Sequence, residues 1–213
     1  PGEVITTTLT TNVSSSAGVP LLTPYTYRFT AAVAAASPGI FPNGQNIITT
    51  AANTASIVST ADLDGDGDLD VLSASYDAIA WYVNDGSGSF GAQQIITTAV
   101  NVVSSVSAVD LDGDGDLDVL SSSRFDNKIA WYENNGSGSF GAQQIITTVA
   151  DGAVRVSTAD LDGDGDLDVL SASYFDNKIA WYANDGLGSF GVQQIITTDA
   201  SAAFGVSTAD LDG

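Results

Sequence analysis

The stretch Asp62-Leu63-Asp64-Gly65-Asp66-Gly67-Asp68-Leu69-Asp70 places five carboxylates within nine residues, and the same string returns from Asp110 and from Asp160. Like charges packed this closely repel one another unless a hard cation sits among them. Acids at alternate positions of a tight loop can converge on one point, and the two glycines permit the positive φ that such a turn needs. Calcium accepts roughly six to eight oxygens at about 2.3–2.6 Å in adaptable geometry, whereas magnesium demands an octahedron and keeps its waters. The loop therefore suits calcium. Its nearest general template is the helix-flanked twelve-residue calcium loop, which ends in Glu. Here the twelfth position is Ser73, Ser121 or Ser171, and the flanking Val-Leu-Ser reads as a strand. A single copy would also fit a solvated acidic turn; three copies in register favour a metal site.

Other chemistry is sparse. The 213 residues include no Cys, Met or His, so disulfides, thiolate sites and imidazole sites are excluded. Lys occurs only at Lys128 and Lys178, and Glu only at Glu3 and Glu133. Neither glutamate recurs between repeats, so an enzyme, such as a lyase on a repeat scaffold, is the weakest reading. The formal charge of −21 argues against nucleic acid and anionic membranes as partners. No stretch is long and apolar enough to span a bilayer as a helix. There is no signal peptide and no initiator Met, and Pro1 does not read as a first codon.

The acidic loops sit inside a repeat of 48 to 50 residues. Ile-Ile-Thr-Thr recurs from Ile47, Ile95, Ile145 and Ile195, and Ile-Ala-Trp-Tyr from Ile79, Ile129 and Ile179. Units read as 41–89, 90–139, 140–189 and a partial 190–213. Alternating, β-branched stretches predict about four strands per unit, near 56–61, 69–75, 78–83 and 91–97 in the first. Asp-Gly and Asn-Gly at 85–86, 135–136 and 185–186 are hairpin turn signals. Four antiparallel strands at this period are the pattern of a β-propeller blade. The first unit is two residues shorter between its Asp loop and Ile79, which predicts a tighter hairpin. Trp81, Trp131 and Trp181 could form a sugar-stacking ladder, but one Trp at a fixed place per blade more simply packs between blades.

The units resemble FG-GAP/VCBS repeats, the calcium-binding propeller blades also seen in integrin α-subunit heads. The resemblance rests on the nine-residue loops, on the Phe-Gly pairs at 90–91, 140–141 and 190–191, and on the Ile-Ala-Trp-Tyr strand, and it covers 41–213. It departs at Phe41-Pro42. It implies side-chain ligands at loop positions one, three, five and nine and a backbone carbonyl at position seven. Those are Asp62, Asp64, Asp66, Asp70 and the carbonyl of Asp68. The second loop supplies Asp110, Asp112, Asp114, Asp118 and the carbonyl of Asp116. The third supplies Asp160, Asp162, Asp164, Asp168 and the carbonyl of Asp166.

Residues 1–31 differ in texture: EVITTTLTTNV and TPYTYRFT read as two strands. They are similar to the last strands of bacterial Ig-like domains of the S-layer type, with 32–40 as a linker. The expected fold is all-β: three complete propeller-type blades, one partial blade and a short Ig-like remnant. The expected function is a non-enzymatic, calcium-stabilised structural or adhesive module of a secreted bacterial surface protein or fibre. A carbohydrate-binding, lectin-like propeller is the alternative. Two strands make no sandwich, and three and a half blades close no ring. The chain therefore reads either as a window on a longer chain or as a subunit completed by copies of itself. Candidate partners are those copies or further domains, and glycans. Asn12-Val13-Ser14 and Asn135-Gly136-Ser137 are N-x-Ser sequons of a kind that arises often by chance.

Overall fold

The computed structural model describes the backbone of residues 3–9 and 25–31, and residues 47–50, 52 and 54–210 in full. It divides into two units, 1–46 and 47–213. In the first, β1 (Glu3–Leu9) and β2 (Tyr25–Ala31) form an antiparallel hairpin in which Glu3 faces Ala31 and Leu9 faces Tyr25. The expected linker at 32–40 lies outside the described residues, and so does the rest of an Ig-like remnant.

Among the described residues, the second unit holds three antiparallel four-stranded sheets, each a simple meander. The first contains β3 (Ile57–Ala61), β4 (Asp70–Ala74), β5 (Ile79–Tyr82) and β6 (Gln94–Thr97). The second contains β7 (Val103–Val109), β8 (Asp118–Ser123), β9 (Lys128–Tyr132) and β10 (Gln144–Thr147). The third contains β11 (Ala153–Ala159), β12 (Asp168–Ser173), β13 (Lys178–Tyr182) and β14 (Gln194–Thr197). No helix occurs among the described residues, so none is long and apolar enough to cross a membrane. The sheets are propeller-like blades, and no closed ring is seen among the described residues. Each hydrogen-bonded sheet is offset from the sequence period: the first runs 57–97, with its Ile-Ile-Thr strand as outer edge.

Burial on both faces explains why the second and third strands are so apolar. Asp-Val-Leu-Ser and Ile-Ala-Trp-Tyr are buried at every position in the first sheet. Their alternation serves two different neighbours. Tyr132 and Val119 face the first sheet and join a core with Leu63, Leu72 and Trp81. Trp131 and Leu120 face the third and pack with Leu111, Val156 and Tyr182. The shortened first hairpin loses one ladder pair: it ends at Ala74 opposite Ile79, where the second continues to Ser123 opposite Lys128.

The tryptophans pack between sheets. Trp81 and Trp131 are each 2% exposed. Trp81 meets Phe140 of the next sheet edge-on at 6.3 Å. Its indole lies where a Cβ on Gly138 would be, and Trp131 stands in the same relation to Gly188. Trp181 has no such neighbour among the described residues and is half-buried.

The expected partial blade at 190–213 is described only to residue 210. Residues 203–210 form no strand, and 211–213 lie outside the described residues. Ala203 and Val206 instead pack on Val154, Ala172 and Ile179 of the third sheet.

The tryptophan contact yields a paired test. Gly88 and Gly138 share a left-handed backbone, with φ of +82° and +71°, but only Gly138 faces an indole. Alanine costs about 1 kcal/mol or more at either position for the backbone alone. At Gly138 it also overpacks the core, adding about 1–3 kcal/mol. Denaturant unfolding should therefore show Gly138→Ala to be clearly less stable than Gly88→Ala; equal losses would contradict the packing role.

Candidate metal centre

Each acidic loop joins the first strand of a sheet to the second, so both of its ends are anchored in a ladder. Ala61 pairs with Asp70, Val109 with Asp118 and Ala159 with Asp168. The first carboxylate of each loop folds it over. Asp62 accepts hydrogen bonds from the amides of Gly65 (2.8 Å) and Gly67 (3.0 Å). Asp110 and Asp160 do the same with Gly113 and Gly115, and with Gly163 and Gly165. The second glycine needs the left-handed region, with φ of +95° at Gly115.

The loops bring carboxylate oxygens together. Oxygens of Asp62, Asp64 and Asp66 lie within 4.8 Å of one another, as do those of Asp110, Asp112 and Asp118, and those of Asp160, Asp162 and Asp168. Each group could hold a metal ion, and all its donors are hard oxygens. Asp68, Asp116 and Asp166 are in none of these groups, and neither are the expected ligands Asp70, Asp114 and Asp164. The carboxylates of Asp68, Asp116 and Asp166 lie against Gly86, Gly136 and Gly186 in the hairpin turn of the same sheet, where an added Cβ would collide with them.

The ninth-position acids are fully buried: Asp70, Asp118 and Asp168 are each 0% exposed. Both oxygens of each accept backbone amides. Asp118 takes Leu111 at 3.0 Å and Asn134 at 2.9 Å. Asp70 takes Leu63 and Asn84, and Asp168 takes Leu161 and Asn184. Burial pushes the Asp118 carboxyl up to about 6, with the amides of Asn134 and Leu111 opposing it and Asp112 and Asp114 adding to it. Asp64, Asp112 and Asp162 are also raised, by desolvation and by their acidic neighbours. Outside the loops, bonds from Ser87 and Ser89 hold Asp85 below the usual range.

Asn84, Asn134 and Asn184, which none of the sequence motifs above singles out, tie the acidic loops to the sheets. The Asn134 side-chain amide donates to Leu117 (3.0 Å) in its own sheet and to Leu63 (2.8 Å) in the preceding loop. Asn184 bridges Leu167 and Leu111 in the same way. Asn84 donates to Leu69. Each acidic loop is thereby tied to the asparagine of the following sheet wherever that sheet is present. The recurrence of Asn two residues after Trp-Tyr was the available signal. The polar cleft between the first two loops measures about 230 Å3 and is lined by Asp62, Gly65, Asp116 and Asn134, among others.

The family model described as the FG-GAP-like repeat matches residues 62–121, 110–171 and 160–213. Among solved structures, the chain is similar to a lectin of Agrocybe aegerita described as specifically recognising non-reducing terminal N-acetylglucosamine. Identity is 26%, over 68% of this chain and 39% of the lectin, with a TM-score of 0.53. It is also similar to the Tc holotoxin pore of Photorhabdus luminescens, at 21% identity over 65% of this chain and 7% of that one, with a TM-score of 0.41. No protein with a curated description matches.

The raised Asp118 sets a pH dependence. An acid with a folded pKa near 6 and an unfolded value near 3.8 holds its proton more tightly when folded. Its stabilising contribution is complete below the unfolded value and is lost as pH rises through 6. In calcium-free buffer, the melting temperature of the wild type should fall more between pH 5 and pH 7 than that of Asp118→Asn. Equal slopes would contradict the assignment.

Proposed function

We propose, from the premise that this chain belongs to the FG-GAP-like repeat family, that its three acidic loops bind calcium and brace a non-enzymatic extracellular structural or adhesive module. One observation carries this reading: in each of three loops, oxygens of three carboxylates gather within 4.8 Å. Two carboxylates at about that separation repel by about 1 kcal/mol even in water. A divalent cation reverses the sign of that interaction. Calcium fits an all-oxygen, flexible loop better than magnesium. In this reading Asp62, Asp64, Asp66 and Asp70 coordinate through side chains and residue 68 through its carbonyl, with the equivalent sets in the other two loops. The carboxylate of Asp68, lying against Gly86, supports that division.

The finer family reading is VCBS-type units preceded by the last strands of an Ig-like domain; the β1–β2 hairpin is compatible with it. Copies of the chain, or further domains of a longer one, are the proposed partners. Leu161 supports this, being 37% exposed where its equivalents Leu63 and Leu111 are 1% exposed beneath a following sheet. A second reading, a carbohydrate-binding module, draws on the likeness to the Agrocybe aegerita lectin. A glycan array separates that reading from the first, and light scattering in calcium reads self-association.

Calorimetric titration should give three calcium ions per chain. A ligand that binds only the folded state stabilises it by about 2.7 kcal/mol per site at 100 times its dissociation constant, so chelation should lower the melting temperature sharply. Asp64→Ala should abolish binding at the first loop, while Asp68→Ala should largely retain it. Unchanged melting in chelator would refute the calcium reading, and equal losses in the two variants would refute the ligand assignment.

A further inference from the structure

A cavity of about 310 Å3 opens at the ends of the inner strands away from the acidic loops. It is lined by Ser56 and Ile57 at the start of β3, Val103 and Ser104 at the start of β7, and Val154 and Arg155 near the start of β11. Arg124 and Phe204 complete it.

Its charge is opposite to that of the rest of the unit. Residues 47–213 contain only four cations: Arg124, Lys128, Arg155 and Lys178. Lys128 pairs with Asp126 at 3.0 Å and Lys178 with Asp176 at 2.8 Å. Among the described residues, neither arginine pairs with a carboxylate. Asp151, the acid nearest Arg155 in sequence, is exposed and pairs with neither. The two unpaired guanidiniums therefore share one cavity. Arg155 precedes the third loop's first acid, Asp160, by five residues, roughly 16 Å of extended strand. That exceeds the Debye length of about 8 Å at physiological salt, so the acidic loops are screened from the cavity.

The site is also built. The Arg124 guanidinium carbon lies 4.7 Å from the centre of the Tyr174 ring, 5.0 Å from that of Phe175 and 5.8 Å from that of Phe125. Phe125 and Phe175 stack at 6.4 Å. These rings fix the side chain in place. Its Nε is buried and donates to no partner in the structure. A fixed guanidinium is suited to a carboxylate, which it binds through two parallel hydrogen bonds. The walls are mixed: Ile57, Val103, Val154 and Phe204 are apolar, and Ser56 and Ser104 offer hydroxyls. The volume is at the small end of ligand sites, which run from about 300 Å3 upward. It admits one ring and not an extended chain.

We propose that this cavity binds the carboxylate of a single sugar-acid-sized ring, with Arg124 and Arg155 holding the carboxylate and the serine hydroxyls facing the ring. The assignment is independent of whether the acidic loops hold calcium. The test is an NMR titration of the whole chain in calcium with D-glucuronate, D-glucose and inorganic phosphate, following the Arg124 Nε–Hε resonance. Glucuronate should shift it saturably, and glucose should bind at least about tenfold more weakly, since a guanidinium–carboxylate contact contributes at least that factor. Arg155→Ala is an exposed change that should leave melting unaltered and weaken glucuronate about tenfold. Arg124→Lys keeps the charge but not the fork and should also weaken it. Phosphate binding as well as glucuronate would overturn the ring assignment. Absence of any saturable shift, or glucuronate affinity unaltered in Arg155→Ala, would overturn the site.

Discussion

A buried aspartate at the end of each acidic loop holds the rest of the structure in place. Asp70, Asp118 and Asp168 are wholly removed from solvent, and a lone carboxylate there would cost several kcal/mol. Each is tolerated because both oxygens accept backbone amides, one from the start of the loop and one from the end of the third strand. Loop, second strand and third strand are thus pinned at one point. The first-position acids complete the fold of the loop by accepting two glycine amides each. A site that gathers so much negative charge into a fixed frame is well organised for a hard cation and poorly organised without one.

The same point couples one sheet to the next. Leu63 and Leu111 leave their loops to enter the cores between sheets, and their carbonyls receive Asn134 and Asn184 of the following sheet. Trp81 and Trp131 close the same interfaces against a glycine that admits no side chain. Stability in such a stack is a sum of unit terms and neighbour terms. The loops contribute to both, because each organises its own sheet and presents the surface that receives the next. Leu161 and Trp181, at the third sheet's outer face, show the same residues without that neighbour.

Much of this is legible in the sequence. Charge repulsion, repeated in three loops in register, marks them as candidate metal sites, and Ile-Ala-Trp-Tyr reads as a strand with residues alternating between two faces. The repeat makes Trp81 a packing residue before any coordinates are known. The asparagines were not legible in the same way. Asn134 reaches a carbonyl 71 residues away, and no local pattern encodes a contact between units. The ninth aspartate reads from the sequence as one more metal ligand of the loop. Only the fold shows that it is buried and doubly bonded. Residues 203–210 carry a strand's composition but form none, since composition supplies a propensity and pairing supplies the strand.

Amide hydrogen exchange tests the central claim most directly, because it reports each loop separately. The amides of Gly65, Gly67, Leu111, Gly113, Gly115 and Asn134 donate to loop carboxylates. If a bound cation locks those carboxylates, calcium should slow exchange at all of these amides together, while amides in the middle of the β7–β8 ladder change much less. Exchange rates at the loop amides that are the same with calcium and in chelator would contradict the account.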